Sequence, residues 1–207
     1  MNLLHIDASI TGEQSVSRQV SAAIVERLRQ ASPGLTLVRR DLAEAPLPHL
    51  TLAHMPGAPV VEGLAAEQGD SNAVIDEILA ADVVVIGAPM YNFTVPGQLK
   101  AWIDRVLVAG RTFRYTASGP EGLAKGKRVI IALSRGGFYG SGAPAAAVEH
   151  VESYLRAVFG LMGVTDPEFV VAEGVQISPD HRQQALDGAL KAAGEISTAG
   201  AREAAIA

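Results

Sequence analysis

The chain has 207 residues, of which 48% are hydrophobic, and its 17 Lys and Arg against 22 Asp and Glu give a formal net charge of −5. The length suits a single domain, residues 1–207, and no apolar run approaches the roughly 18 to 20 residues of a membrane-spanning helix, so we expect no membrane partner. The scattered basic residues predict no nucleic-acid surface, and the absence of cysteine and of an export signal favours the cytoplasm and excludes thiolate chemistry.

Apolar runs alternate with helical patterns along the chain, which predicts five strands and five helices. The predicted strands are residues 3–6, 35–38, 83–86, 129–133 and 169–171, and the helices lie at 16–28, 75–79, 99–107, 148–159 and in an Ala-rich segment near the C-terminus. Nearly continuous apolar strands are typical of a parallel sheet that is covered on both faces. We therefore expect an α/β fold with an open, doubly wound, five-stranded parallel sheet in three α/β/α layers. In such sheets ligands bind beyond the carboxyl ends of the strands, where the strand order reverses, so the loops after strands one, three and four matter most.

The loop after the first strand, residues 7–18, is rich in hydroxyl and amide side chains. They are Ser9, Thr11, Gln14, Ser15 and Ser17. A helix N-terminus offers unpaired N–H groups and the positive end of the helix dipole, so this loop suits a phosphate group, with Arg18 completing the cradle. The plainer alternative is that Ser15 only caps the helix. The glycine signatures of dinucleotide and nucleoside-triphosphate loops are missing, which favours the phosphate monoester of a mononucleotide.

The loop after the third strand contains Met90, Tyr91, Asn92 and Phe93. Aromatic faces and an amide are suitable walls for a planar ring, because they offer stacking and hydrogen bonds without charge. The alternative is an ordinary strand-to-helix turn whose aromatic residues belong to the core, with Pro96 at the first helical position.

The loop after the fourth strand begins with Ser134, Arg135, Gly136 and Gly137. Two consecutive glycines allow a backbone to approach a ligand closely and to aim its N–H groups at it. The alternative is a mobile loop without a ligand.

Two connections are longer than usual. Residues 43–70 are proline-rich, with prolines at 46, 48, 56 and 59, and residues 110–126 carry Phe113 and Tyr115 before a Gly-rich turn. Connections of this length indicate either a functional excursion or a contact with a partner.

Four segments together resemble the FMN-dependent NADH-azoreductases, which belong with the flavodoxin-like NAD(P)H:quinone oxidoreductases. They read SITGEQSVSR, PMYNF with the following QLK, FRYTASGPEGL, and SRGG. The resemblance covers essentially the whole chain, and PMYNF and residues 113–123 are its most specific parts.

The resemblance implies a homodimer with one non-covalent FMN per subunit. It implies that the phosphate is held by Ser9, Ser15, Val16 and Ser17, that the flavin is lined by Met90, Tyr91, Asn92 and Phe93, and that the ring is contacted from the other side by Ser134, Arg135, Gly136 and Gly137. It further implies that NADH is the electron donor and that quinones, azo compounds or nitroaromatics are the acceptors, reduced in a ping-pong cycle. Residues around Phe113 and Tyr115 would help to roof the partner's pocket, and Tyr139 is a candidate substrate contact without a catalytic role.

A different class, a flavodoxin-type FMN electron carrier, is the alternative. The run Ser9-Ile10-Thr11-Gly12 has some likeness to the phosphate loop of those carriers, but a modest charge of −5 does not provide the one-signed field that a docking carrier usually needs.

No catalytic acid or base, no metal site and no hydrolase are expected. The five histidines lack ligand spacing, and no G-x-S-x-G elbow is present. We expect Asp41 to be a helix cap or a surface charge.

Overall fold

A computed structural model describes residues 1–55, 57–59 and 63–198. The strands are β1 (Asn2–Asp7), β2 (Thr36–Asp41), β3 (Val83–Pro89), β4 (Phe113–Thr116), β5 (Gly119–Gly122), β6 (Arg128–Ser134) and β7 (Glu168–Ala172). The helices are α1 (Val16–Ala31), α2 (Ala65–Ala80), α3 (Gly97–Val106), α4 (Val151–Met162) and α5 (Pro179–Glu195). The main sheet is parallel throughout, in the order β2-β1-β3-β6-β7. This confirms the predicted flavodoxin-like, doubly wound sheet, and the strand order reverses between β1 and β3.

Helices cover the sheet on both faces. Helices α1 and α5 pack on one face, with Val20 and Ala189 in the core, whereas α2, α3 and α4 pack on the other, with Ile78, Trp102 and Leu155. Strand β3 is buried along its whole length because it lies in the middle of the sheet. Every one of these helices follows a strand of the main sheet, so the helix N-termini meet at the carboxyl edge.

Strand β2 runs to Asp41 and is longer than its apolar run predicts. It is one of the two edge strands of the main sheet and pairs only with β1, and most of its side chains are exposed. Arg39 and Arg40 continue the strand, in register with His5 and Ile6, although they break the hydrophobic pattern.

Helix α4 begins at Val151, three residues later than predicted. The carboxylate of Glu149 accepts hydrogen bonds from the N–H groups of Val151 and Glu152, at 3.0 and 3.1 Å. This acidic side chain therefore caps the helix and sets its start.

The connection at residues 110–126 contains an unpredicted antiparallel hairpin, β4–β5, in which Phe113 pairs with Gly122. Strand β4, Phe113–Thr116, alternates aromatic and polar residues over only four positions, and β5, Gly119–Gly122, contains two glycines and a proline, which are depleted in strands. A Cβ atom on Gly122 would lie 2.2 Å from the backbone nitrogen of Gly163, so glycine is needed where the hairpin packs against the end of α4.

The long connection at residues 43–70 is partly helical, because α2 already begins at Ala65. The buried Arg105 of α3 holds its first part by donating a hydrogen bond of 2.8 Å to the carbonyl of Pro48. Pro56 and residues 60–62 of this segment lie outside the described residues, as do residues 199–207. Within the described chain, no helix is long and apolar enough to cross a membrane.

Candidate functional site

A cleft of about 560 Å³ opens at the carboxyl edge of the sheet. All three predicted loops contribute to it. The predicted residues that line the cleft are Ser9, Ser15, Val16, Met90, Tyr91, Ser134 and Gly136. Ser17, Asn92, Phe93, Arg135 and Gly137 are close in sequence to these residues but are not part of the cleft wall.

The hydroxyl end of the cleft is built on the start of α1. Ser15 caps the helix, since its Oγ accepts the N–H of Arg18 at 3.3 Å, and its Oγ also lies 3.0 Å from Ser17 Oγ. Ser9 Oγ lies 3.0 Å from Thr11 Oγ1. Capping and lining are thus compatible roles of Ser15. The first N–H groups of α1 have no partner inside the helix, so hydroxyls and amides converge here on a site for an anion.

Arg18 does not complete this cradle, contrary to the sequence prediction. Its Nε and Nη2 donate to the carbonyl of Ser9 at 3.1 and 2.7 Å, and its guanidinium forms a bidentate pair with Asp41. The side chain therefore braces the loop from behind. The cause is the pairing of β1 with β2, which brings Asp41 next to the end of β1.

Asp41 is accordingly not a surface charge. Its carboxylate is buried against Arg18, and it also accepts the N–H groups of Ala43 and Glu44 at 3.0 and 3.2 Å. The hydrogen bond from Arg18 lowers the pKa of Asp41 from 3.8 to about 2.

A second buried carboxylate, Asp7, lies below the same loop. Ser21 Oγ donates to it at 3.1 Å and is itself 2.9 Å from His5 Nε2. Burial raises the pKa of Asp7, but the hydrogen bond and charge of His5 and the charge of Arg18 outweigh it, so the pKa lies below its ordinary value. A Cβ atom on the neighbouring Gly87 would be only 2.8 Å from Asp7 Oδ1, which explains the glycine there. This network of buried hydrogen bonds joins β1 to α1 below the first loop.

The loop after β3 is a tight turn. The backbones of Tyr91 and Thr94 exchange hydrogen bonds of 2.9 and 3.1 Å, and the two residues between them, Asn92 and Phe93, have φ of 48° and 71°. Among the described residues, these are the only non-glycine residues with positive φ. Strained backbone of this kind concentrates at functional sites.

The turn directs Tyr91 into the cleft. Its hydroxyl reaches the first loop, 3.2 Å from Ser9 Oγ and 3.3 Å from the backbone nitrogen of Ile10. Phe93 stays about half exposed outside the cleft wall, with its ring centroid 6.3 Å from that of Tyr139. The aromatic residues of this loop are therefore not core residues.

The loop after β6 is fixed by the segment after β7. The carbonyls of Arg135, Gly136 and Gly137 accept hydrogen bonds of 3.0 to 3.1 Å from residues 174–176. Within the described chain, the N–H groups of Gly136 and Gly137 have no hydrogen-bond partner. The carbonyl groups of this loop are therefore fixed by the segment after β7, whereas the N–H groups of Gly136 and Gly137 are available to donate hydrogen bonds.

The side chain of Arg135 points away from the cleft and is only 4% exposed. It forms ion pairs with Glu173 at 2.9 Å, Glu152 at 3.2 Å and Glu149 at 3.3 Å. Arg135 therefore ties this loop to α4 and to the end of β7.

One wall of the cleft was not predicted. It comes from the end of β7 and the first turns of α5, and its residues are Val175, Gln176, Arg182, Gln183 and Leu186. The rule that ligands bind beyond the carboxyl ends of parallel strands could have identified this wall. Strand β7 ends at the same edge of the sheet as β6, so the loop after β7 should be considered together with the other three loops. The described residues contain no group of His, Asp and Glu that could hold a metal ion.

Comparisons with known proteins agree with this fold. A model of the flavodoxin-like fold family matches residues 1–196. An FMN-dependent NADH:quinone oxidoreductase 2 from Bradyrhizobium diazoefficiens is 62% identical over 202 residues, which cover 96% of this chain and 100% of that protein. An FMN-dependent NADH:quinone oxidoreductase from Methylorubrum extorquens is 58% identical over 203 residues, with 96% and 100% covered.

Solved structures show the same likeness. An azoreductase from Bacillus anthracis str. Sterne superposes with a TM-score of 0.85 at 31% identity, covering 96% of this chain and 99% of that one. An FMN-dependent NADH-azoreductase from Bacillus anthracis str. Ames Ancestor, in complex with FMN, has a TM-score of 0.85 at 25% identity, covering 99% and 100%.

Proposed function

The chain belongs to the flavodoxin-like fold family that includes the FMN-dependent NADH:quinone oxidoreductases, and we propose that it uses bound FMN and NADH to reduce quinones to hydroquinones and azo compounds to aromatic amines. The observation that carries this proposal is one cleft with a hydroxyl-rich helix N-terminus at one end and Met90 and Tyr91 on its wall.

The cleft fits FMN in size and in chemistry. Its volume of about 560 Å³ lies within the range of small-molecule sites. The hydroxyls of Ser9 and Ser15 and the N-terminus of α1 suit the phosphate, because they supply several donors and a positive dipole end, and Ser17 Oγ supports Ser15 Oγ from behind at 3.0 Å. Met90 and Tyr91 on one side and the free N–H group of Gly136 on the other suit a flat ring with polar edges. Asn92 and Phe93 border this wall from outside.

When bound, FMN would supply the redox chemistry that links hydride donation by NADH to two-electron reduction of the acceptor. The protein's part is to hold the cofactor and to leave one face of it open. The side chains that line the cleft include no carboxylate and no histidine among the described residues. Protons for the acceptor therefore come from solvent.

A single cleft that admits NADH and the acceptor in turn predicts ping-pong kinetics. One NADH and one proton convert a quinone to a hydroquinone, whereas two NADH and two protons are needed to cleave one azo bond to two amines. Nitroaromatics, which are also flat, are further candidate acceptors.

The proposed assembly is a homodimer in the cytoplasm, each subunit a single FMN-binding domain of residues 1–207. Large apolar side chains are exposed on the long connections, Leu52 at 87% and Tyr115 at 76%, and such surfaces are typical of protein contacts. Hairpin β4–β5 with Tyr115 would then help to roof the partner's cleft. Light scattering should report the mass of two 21.6 kDa chains.

Steady-state kinetics test the proposed function. Initial rates are measured with NADH varied at several fixed concentrations of 1,4-benzoquinone. Parallel double-reciprocal lines support alternate use of one cleft, and intersecting lines contradict it. An FMN-loaded protein that does not oxidise NADH at all would favour the electron carrier.

A further inference from the structure

Arg182 is the only charged residue among the described residues that line the cleft. It lies in the first turns of α5, and its Nη2 donates a hydrogen bond to the carbonyl of Gln14. Gln14 immediately precedes Ser15, the cap of α1. The guanidinium therefore stands beside the hydroxyl end of the cleft, although it comes from the far end of the chain.

The charge of Arg182 is not neutralised by the protein. Within the described residues, no carboxylate lies within 4.0 Å of its guanidinium, in contrast to Arg18, which is held by Asp41. A guanidinium has five N–H donors, and the bond to Gln14 uses one of its nitrogens. The remaining donors are free for a planar or tetrahedral oxyanion.

A phosphate monoester at this position would gain from a full positive charge in addition to the neutral donors and the helix N-terminus. The serines of the first loop are neutral donors, the nearest arginine in sequence is already paired, and the chain as a whole carries a charge of −5. Helix dipole ends contribute only partial charge.

We propose that Arg182 binds the phosphate of FMN and provides the main full positive charge at that end of the cleft. This inference rests on the proposed function and deepens it, because it makes the cofactor's phosphate, rather than its ring, the group that α5 recognises. The bond to the Gln14 carbonyl orients the guanidinium before the cofactor arrives.

Flavin binding tests this role without an activity readout. The full-length chain, freed of flavin, is titrated with FMN and with riboflavin, which lacks the phosphate, and flavin fluorescence gives the dissociation constants. The variants are Arg182→Gln, which removes the charge, Arg182→Lys, which keeps it, and Lys191→Gln. The last is a matched control, because Lys191 is an exposed cation on the same helix that does not line the cleft.

The inference predicts that Arg182→Gln weakens FMN binding about tenfold and reduces its dependence on salt, since one charge-assisted contact is lost. Riboflavin affinity should stay within twofold. Arg182→Lys should retain most of the FMN affinity, and Lys191→Gln should match the wild type.

Three results would overturn the inference. Unchanged FMN affinity in Arg182→Gln would mean that Arg182 does not contact the phosphate. Equal losses for FMN and riboflavin would indicate a purely structural role through Gln14. A higher KM for NADH with unchanged FMN affinity would assign the charge to the pyrophosphate of the dinucleotide. The proposed function survives each of these results, whereas a wild-type chain that binds neither flavin would overturn both.

Discussion

The hydroxyl of Tyr91 lies 3.2 Å from Ser9 Oγ, although the two residues are 82 positions apart in the chain. The contact joins the loop after β1 to the loop after β3 across the point where the strand order reverses. A second bond of 3.3 Å from the backbone nitrogen of Ile10 strengthens it. One side chain thus connects the hydroxyl end of the cleft with the turn after β3.

Removing this hydroxyl should weaken cofactor binding. Tyr91→Phe keeps the ring and loses hydrogen bonds that hold the two loops in place, so FMN affinity should fall about fivefold. Flavin fluorescence titration measures the change, and Tyr154→Phe on α4, outside the cleft, is the control. Equal affinities in wild type and Tyr91→Phe would show that the two loops do not need this contact.

The two N-cap serines offer a matched pair. Ser15 caps α1 inside the cleft, and Ser178 caps α5 by accepting the N–H of His181 at 3.2 Å without lining the cleft. Each change to alanine should lower the free energy of unfolding by about 1 kcal/mol. Only Ser15→Ala should also lower FMN affinity, by fivefold or more. If Ser15→Ala and Ser178→Ala change the FMN affinity equally, Ser15 acts only as a helix cap.

Two variants of Asn92 separate its backbone from its amide. Its φ of 48° strains an alanine but not a glycine, so Asn92→Ala should destabilise the protein by about 1 kcal/mol more than Asn92→Gly. If the amide contacts the flavin ring, both variants should bind FMN about fivefold more weakly. If Asn92→Gly binds FMN as tightly as the wild type, the amide of Asn92 does not contact the flavin.

Acid should weaken the fold through Asp41. Its pKa is about 2 in the folded protein against an ordinary 3.8, so its contribution is complete above that ordinary value and is lost as the pH falls towards 2. The difference in unfolding free energy between wild type and Asp41→Asn should narrow by about 2 kcal/mol between about pH 6 and about pH 2. Urea unfolding across this range measures it, and a constant difference would contradict the buried pair with Arg18.

Much of the fold follows from local patterns. The apolar runs of β1, β3 and β6 are buried on both faces, so their hydrophobicity identifies them and places the cleft at their carboxyl ends. Strand β2 ends later than predicted because an edge strand needs no apolar pattern. The sequence does not predict the hairpin β4–β5, because β4 has only four residues and β5 contains two glycines and a proline, so its backbone pairing is not visible in a hydrophobic pattern.

The site was predictable where a residue directly follows a strand of the parallel sheet. Ser9, Ser15 and Tyr91 line the cleft because their loops follow β1 and β3, whose carboxyl ends meet at one edge. The direction of Arg18 depends on Asp41 of a neighbouring strand, and Arg182 meets Gln14 across 168 positions. Such long-range contacts depend on how whole helices and strands pack against each other. The composition of a single loop therefore does not reveal them.

The most direct measurement is an anaerobic visible absorption spectrum of the FMN-loaded protein before NADH, after NADH and after addition of 1,4-benzoquinone. If the protein reduces quinones with NADH through bound FMN, NADH should bleach the flavin bands and the quinone should restore them. This result would demonstrate both half-reactions on one bound cofactor. Bound flavin that NADH leaves unbleached, or a protein that binds no flavin, would contradict the proposed function.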